Sequence, residues 1–247
     1  MRTICIYNHK GGVGKTTTAL NLAAGLSRQD KKVLLVDLDP QGNLDTSLKV
    51  SAEYTLHDVL TGKLEIQQCI ANVAKNFDII VSTEELAKME YYLAQEENSR
   101  LLIKNVLGKI NNGYDFMIID CPPSLGIINQ NALAFCKEVI IPVSTDYLGF
   151  DALKKMPGVI NAIKEHYDSD IKISKIVPTL FDKRNNICKE SLANIQTAFP
   201  EETTYPIRNN SKLKEAPKHG KSIFSYANSS NGAKDYAKLV EDVLAMT

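Results

Sequence analysis

The segment that most constrains this chain is Asn8-His9-Lys10-Gly11-Gly12-Val13-Gly14-Lys15-Thr16-Thr17-Thr18, set between an apolar run and a helical pattern. Glycines let the backbone turn tightly and bring its N–H groups within hydrogen-bonding reach of an anion. Behind the loop, Ala19, Leu22, Ala23 and Leu26 recur at the spacing of one buried helix face. The first turn of that helix has unpaired N–H groups at the positive end of its dipole. Strand, glycine loop and helix N-terminus together make a phosphate cradle built from Gly11, Gly12, Val13, Gly14 and the residues that follow. In it, Lys15 would sit on the β- and γ-phosphates of a nucleotide and the Thr16 hydroxyl on Mg²⁺. The commonest spacing of such loops is not met. His9 stands where the first glycine belongs, and an additional lysine, Lys10, heads the turn.

Such a loop needs a strand before it and a sheet around it, and the rest of the chain supplies both. Short β-branched runs at 3–8, 32–37, 78–82, 116–120, 138–143 and 172–180 alternate with helical patterns at 15–28, 84–93, 99–111, 126–136, 149–167, 187–199 and 234–245. Alternation of this kind predicts βαβ units, hence an α/β fold with a doubly wound, mostly parallel sheet and helices on both faces. Several strands are apolar throughout, as strands covered on both faces are. With 247 residues and no long Pro/Gly/Ser linker, one domain over 1–247 is expected.

Composition excludes several classes. Hydrophobic residues are 44% and charged residues 23%, which is ordinary for a globular protein. No apolar run approaches the roughly 20 residues of a membrane span, and Met1-Arg2 leads directly into a strand pattern, so the expected compartment is the cytoplasm. The five cysteines are scattered without a close pair, which points to buried thiols rather than a zinc site. Lysine plus arginine equals aspartate plus glutamate at 29 each, so there is no overall basic coat. The charge is nonetheless uneven: residues 171–221 carry 10 cations against 5 acids. That surplus matters only if folding gathers it.

Acids stand where a nucleotide site would want them. In open parallel sheets ligands bind beyond the carboxyl ends of strands. The second strand pattern ends in Val36-Asp37-Leu38-Asp39-Pro40-Gln41-Gly42, and the fourth in Met117-Ile118-Ile119-Asp120-Cys121-Pro122-Pro123-Ser124. Asp120, after four apolar residues, reads as the carboxylate that holds Mg²⁺ directly or through water. Asp37 reads as structural or as a partner of the metal site. The four histidines are scattered, and no Ser/His/Asp or Cys/His arrangement is evident.

The loop Lys10-Gly11-Gly12-Val13-Gly14-Lys15-Thr16 resembles the deviant Walker A motif of the ParA/MinD family of ATPases, and residues 2–245 share the likeness. Asp37-Leu38-Asp39-Pro40-Gln41-Gly42 and Asp120-Cys121-Pro122-Pro123-Ser124-Leu125-Gly126 resemble two further family motifs. So do Pro178-Thr179-Leu180-Phe181-Asp182-Lys183-Arg184 and the segment from Arg208 to Lys221. The resemblance implies an Mg²⁺-dependent ATPase whose Lys10 reaches across an ATP-bound homodimer to the partner's nucleotide. It implies Asp39 beside the attacking water and the metal, Thr17 with the loop on the phosphates, and Arg208 or Asn209 near the adenine. It places Arg184 and Lys212, with Lys183, Arg208 and Lys214, against the backbone of double-stranded DNA without sequence reading. A ParB-like centromere-binding protein is the implied partner, and the ATP-bound form is expected on the nucleoid.

Rival family roles are less well matched. The C-terminal pattern mixes both charge signs and reads as a packed helix, so the membrane-cycling role of a MinD-like spatial regulator is the alternative, and no membrane contact is expected. A kinase relative would carry a tyrosine-rich tail, whereas Tyr226 and Tyr236 stand singly. An operator-reading segment before the first strand is not expected either.

Overall fold

The computed structural model describes residues 1–93, 101–110 and 113–246. Its centre is a seven-stranded sheet of β1 (Arg2–Ile6), β2 (Val33–Asp37), β3 (Ala71–Ala74), β4 (Phe77–Ile80), β5 (Phe116–Asp120), β6 (Glu138–Ser144) and β7 (Lys172–Thr179). The spatial order is β3-β4-β2-β5-β1-β6-β7, parallel throughout except for the antiparallel pair β3–β4. The doubly wound sheet expected from the sequence is therefore present.

Period-two side-chain alternation divides the core into two layers. Cys5, Tyr7, Leu34, Val36, Met117 and Ile119 face one side. There they pack beneath α3 (Leu56–Leu60), α4 (Glu85–Leu93), α5 (Leu102–Leu107), α6 (Ile127–Phe135), α7 (Tyr147–Tyr167) and α8 (Asn186–Ala198). Ile4, Ile6, Val33, Leu35, Phe116 and Ile118 face the other. That side is covered by α1 (Lys15–Ser27), α2 (Asn43–Leu48), α10 (Ile223–Tyr226) and α11 (Asn231–Leu244). A short α9 (Ser211–Glu215) buries no residue.

The apolar face of α11, carrying Ala233, Tyr236, Leu239, Val240 and Val243, is buried in this second layer. The Tyr236 hydroxyl lies 3.1 Å from Thr18 Oγ1 on α1. At Gly25 the two helices pack tightly: a Cβ there would collide with a Val240 methyl. The C-terminal helix thus spends its hydrophobic side on the core, and among the described residues no helix is long and apolar enough to cross a membrane.

The two flanks of the sheet differ. On one side β3 is four residues long, with a register irregularity between Asn72 and Ala74. On the other, the outer edge of β7 bonds to a following segment through Ile176 N–H to the Glu202 carbonyl, Thr204 N–H to Ile176 and Ile207 N–H to Pro178.

Differences from the sequence reading lie in short elements. β3 was not expected, nor were α2, α3, α9 and α10. Their four to six residues are too few for a period to emerge. The expected first strand over 3–8 ends at Ile6, because Tyr7 and Asn8 already belong to the loop. Of the expected helix over 99–111, residues 99, 100 and 111 lie outside the described residues, and the helix itself covers Leu102–Leu107.

Candidate nucleotide site

The glycine loop runs from the end of β1 to α1, and three ties hold it open. Buried Asn8 donates its amide to the Pro142 carbonyl at 2.8 Å and accepts the Lys10 N–H at 3.0 Å. The Thr179 hydroxyl, at the end of β7, donates to the Val13 carbonyl at 2.8 Å. Gly12 and Gly14 have φ of 73° and 89°, a region that favours glycine. Helix α1 starts with no side-chain cap and no acid in its first turn, so its leading N–H groups and dipole are left for an anion.

Lys15 is buried at 7% exposure and donates to the Lys10 carbonyl at 3.1 Å. Burial lowers its pKa, and the charges of Asp120 and Asp39 work against that shift. Asp120 ends β5 beside Asp37 at the end of β2, since the two are register partners. Both are 1% exposed. Asp37 is occupied as a strut: it accepts the N–H groups of Asp39 at 2.9 Å and Leu44 at 3.3 Å. Its carboxyl is pushed up by burial and then by the Asp120 charge.

Asp120 is different. Burial pushes it up to about 7, while a hydrogen bond from the Thr16 hydroxyl and the charge of Lys15 pull it partly back. Its Oδ1 has no hydrogen-bond partner. A buried carboxylate oxygen left without a donor, next to a threonine hydroxyl, fits a hard cation with oxygen ligands. Among the described residues no cluster of three His, Cys, Asp or Glu could hold a metal alone. The donor set therefore suits Mg²⁺ that keeps waters and takes the rest of its oxygens from phosphates.

The raised Asp120 value has a sign that can be tested. In the free chain its stabilising contribution is complete below the usual carboxylate range and is lost as pH rises through about 7. A bound cation favours the ionised form. Mg²⁺-nucleotide binding should therefore release a proton below pH 7, and its affinity should fall as pH drops there. Calorimetry in two buffers of different ionisation enthalpy checks this; a proton count of zero at pH 6 would exclude it.

The remaining expected residues are placed as follows. Asp39 is half-buried and accepts the Gln41 N–H at 3.0 Å, close enough to the loop for Lys15 to feel its charge. Thr17 is half-buried in the first turn of α1, and its carbonyl accepts the Asn21 amide. Lys10 folds back over its own subunit, donating to Ser144 Oγ at 3.1 Å and Asp146 Oδ1 at 2.9 Å.

The basic segments meet at the end of β7. Phe181 bridges to Arg208, and Asn209 N–H donates to the Phe181 carbonyl at 2.9 Å. Arg184 is 84% exposed and paired with Asp182 at 2.8 Å, which holds that carboxyl down to about 2. Lys212 pairs with Glu215 at 2.7 Å, and Tyr226 donates to the same carboxylate oxygen. Lys183 and Lys214 are exposed and make no ion pair among the described residues. Arg208, expected against the DNA backbone or near the adenine, is held in an ion pair. Its Nε and Nη2 grip both oxygens of Asp235, whose side chain is fully buried on α11, at 2.6–3.2 Å. Asn209 is exposed beside it.

The sequence reading missed Asn8, Thr179, Ser144, Asp146 and Asp235. Only Asp146 carried a local signal, an acid three residues before Gly149 at the start of a helical pattern.

A glycine-rich turn between a parallel strand and an uncapped helix, with a buried acid ending the adjacent strand, defines a P-loop nucleotide-binding protein. A family model described as an AAA domain matches residues 1–173. The chain is 36% identical to the chromosome-partitioning ATPase Soj of Treponema pallidum over 99% of this chain and 97% of that protein. It is 34% identical to the chromosome partitioning protein ParA of Myxococcus xanthus over 98% of this chain and 88% of that one. Among solved structures, cobyrinic acid a,c-diamide synthase from Mycobacterium smegmatis, with bound ATP analog and magnesium, superposes with a TM-score of 0.84. It is 28% identical, over 99% of this chain and 94% of that chain. The chain belongs to the Soj/ParA family of chromosome-partitioning ATPases.

Proposed function

We propose that this chain is an Mg²⁺-dependent ATPase whose ATP-bound form pairs with a second copy and grips duplex DNA without reading its sequence. Hydrolysis, stimulated by a ParB-like centromere-binding protein, would return single subunits and release the DNA. The observation that carries the reading is the loop itself. A second lysine, Lys10, stands at its head, while Lys15, Thr16 and the orphaned oxygen of Asp120 gather around the open end of α1. The ATP analog and magnesium bound by the Mycobacterium smegmatis relative support this assignment of ligands.

Thr16 and Asp120 would hold Mg²⁺, with Asp39 on the same side; when bound, the ion would neutralise charge on the phosphate oxygens. Residues 11–17 would wrap the phosphates with backbone N–H groups, and Lys15 would stabilise charge that builds on the γ-phosphate as water attacks in line. Asp39, held by the Gln41 N–H, would orient that water. Asn209 would face the adenine, with Arg208 holding the segment to Asp235. Lys10 of each subunit would reach the nucleotide of the other, placing two basic faces side by side so that weak phosphate contacts multiply.

The bridge from Phe181 to Arg208 brings Arg184, Lys183, Lys212 and Lys214 onto one end of the molecule, which supports a single DNA face. Neutralising four phosphates per dimer gives a log–log salt slope of about −3.6. An Arg184→Glu/Lys212→Glu variant should hydrolyse ATP normally and bind random duplex DNA about ten-fold more weakly at moderate salt. Titration of labelled duplex with ATP, ADP and no nucleotide reads this directly. Wild-type affinity in the double variant would remove the face from consideration.

A further inference from the structure

Lys10 has a job in the free subunit that the dimer reading leaves out. Its side chain is 27% exposed, and its ammonium is bound by Asp146 at 2.9 Å and Ser144 at 3.1 Å. The acceptors cannot follow the lysine if it moves. Asp146 Oδ1 also caps α7, taking the Gly149 N–H at 2.7 Å. Thr145, between the two acceptors, bonds the Thr179 carbonyl at 3.1 Å through both its N–H and its hydroxyl. Gly149 packs so closely on the turn that a Cβ would stand 2.1 Å from the Ser144 carbonyl oxygen. The turn 144–146 is therefore fixed to the sheet, and a lysine that extends outward must leave it. Just beyond, Tyr147 and Leu148 are 75% and 64% exposed, a large apolar surface at the same strand end.

We propose that Asp146 is a positioning residue for the phosphate loop: it holds Lys10 in cis over its own subunit until the nucleotide of a second copy offers a stronger acceptor. This rests on the ATP-dependent dimer proposed above. The magnitudes suit a latch. A partly exposed ion pair is modest and competes only weakly with several phosphate charges, yet it suffices to keep the lysine home when no triphosphate is present. Asp146 thereby sets how much ATP is needed before two subunits join.

The test uses Asp146→Asn, which keeps a cap for α7 because asparagine caps as well as aspartate, and Asp146→Glu, which keeps the charge. Limiting acetylation of the nucleotide-free protein, followed by mass spectrometry, reads the reactivity of the Lys10 amine. Sedimentation across an ATP titration reads dimer formation. In Asp146→Asn, Lys10 acetylation should quicken about three-fold and the half-maximal ATP concentration should fall about three-fold, with Asp146→Glu returning both toward wild type. Unchanged Lys10 reactivity, or an unchanged ATP requirement in a protein that does dimerise, overturns the proposal and leaves the dimer reading standing. A wild type that stays single with ATP overturns the dimer reading and the latch with it, even where the amine becomes more reactive.

Discussion

Replacing Lys15 with alanine is expected to lower ATP turnover about 1,000-fold, the loss typical of a preorganised charge-stabilising group. Lys15 is buried where β1 meets α1, with Asp120 and Asp39 close enough to act on its charge. Removing it takes the cation from the γ-phosphate and also from Asp120, whose carboxyl then rises further. The first effect lowers kcat and both weaken phosphate binding, so KM should rise and kcat/KM should fall further than kcat. A thermal melt of the nucleotide-free variant serves as the control, because losing one buried cation relieves a desolvation cost. Turnover within ten-fold of wild type, in a folded variant, would mean that some other cation carries the phosphate.

The second large effect concerns stability. Arg208→Ala should destabilise the fold by about 3 kcal/mol, because it takes the cation from the buried carboxylate of Asp235 and leaves it the backbone N–H of residue 208. That side chain is 0% exposed, while the arginine is 30% exposed, which places the loss at the lower end of the range for broken buried pairs. Lysine at 208 should recover only part of it, since one ammonium cannot form the fork that grips both oxygens. A double variant Arg208→Met/Asp235→Leu should recover more than Arg208→Lys, because it removes the buried charge together with its partner. Denaturant titration of the four proteins decides the matter. A loss under 1 kcal/mol in Arg208→Ala would show that Asp235 finds water or another donor.

These two residues mark what was legible in the sequence. Lys15 was readable because its chemistry is local: glycine spacing, a preceding strand and a following helix lie within about thirty residues. The long strands and helices were readable for the same reason, as each repeats its period several times. Arg208 was readable as a cation but not as a strut. Its partner is 27 residues away on α11, and whether an arginine faces solvent or a buried acid depends on packing. Asp146 and Lys10 are 136 residues apart and meet only because β1 and β6 are neighbours in the sheet. The orphaned oxygen of Asp120 could be suspected from the motif, but its isolation is a property of the folded site. Short elements such as β3 and α9 span only four and five residues, too few for a period to announce them.

The two margins of the sheet carry a consequence for assembly. A strand with free N–H and C=O groups along its side is a template on which another chain can polymerise. Here one margin is a stub of four residues with an irregular register, and the other is already hydrogen-bonded to its own chain from 202 to 207. Lateral stacking into a continuous ribbon is thus disfavoured at both margins of the described part of the molecule. In the dimer proposed above, copies would instead meet tip to tip, where the strands end and the phosphates would lie, which would keep self-association answerable to the ligand.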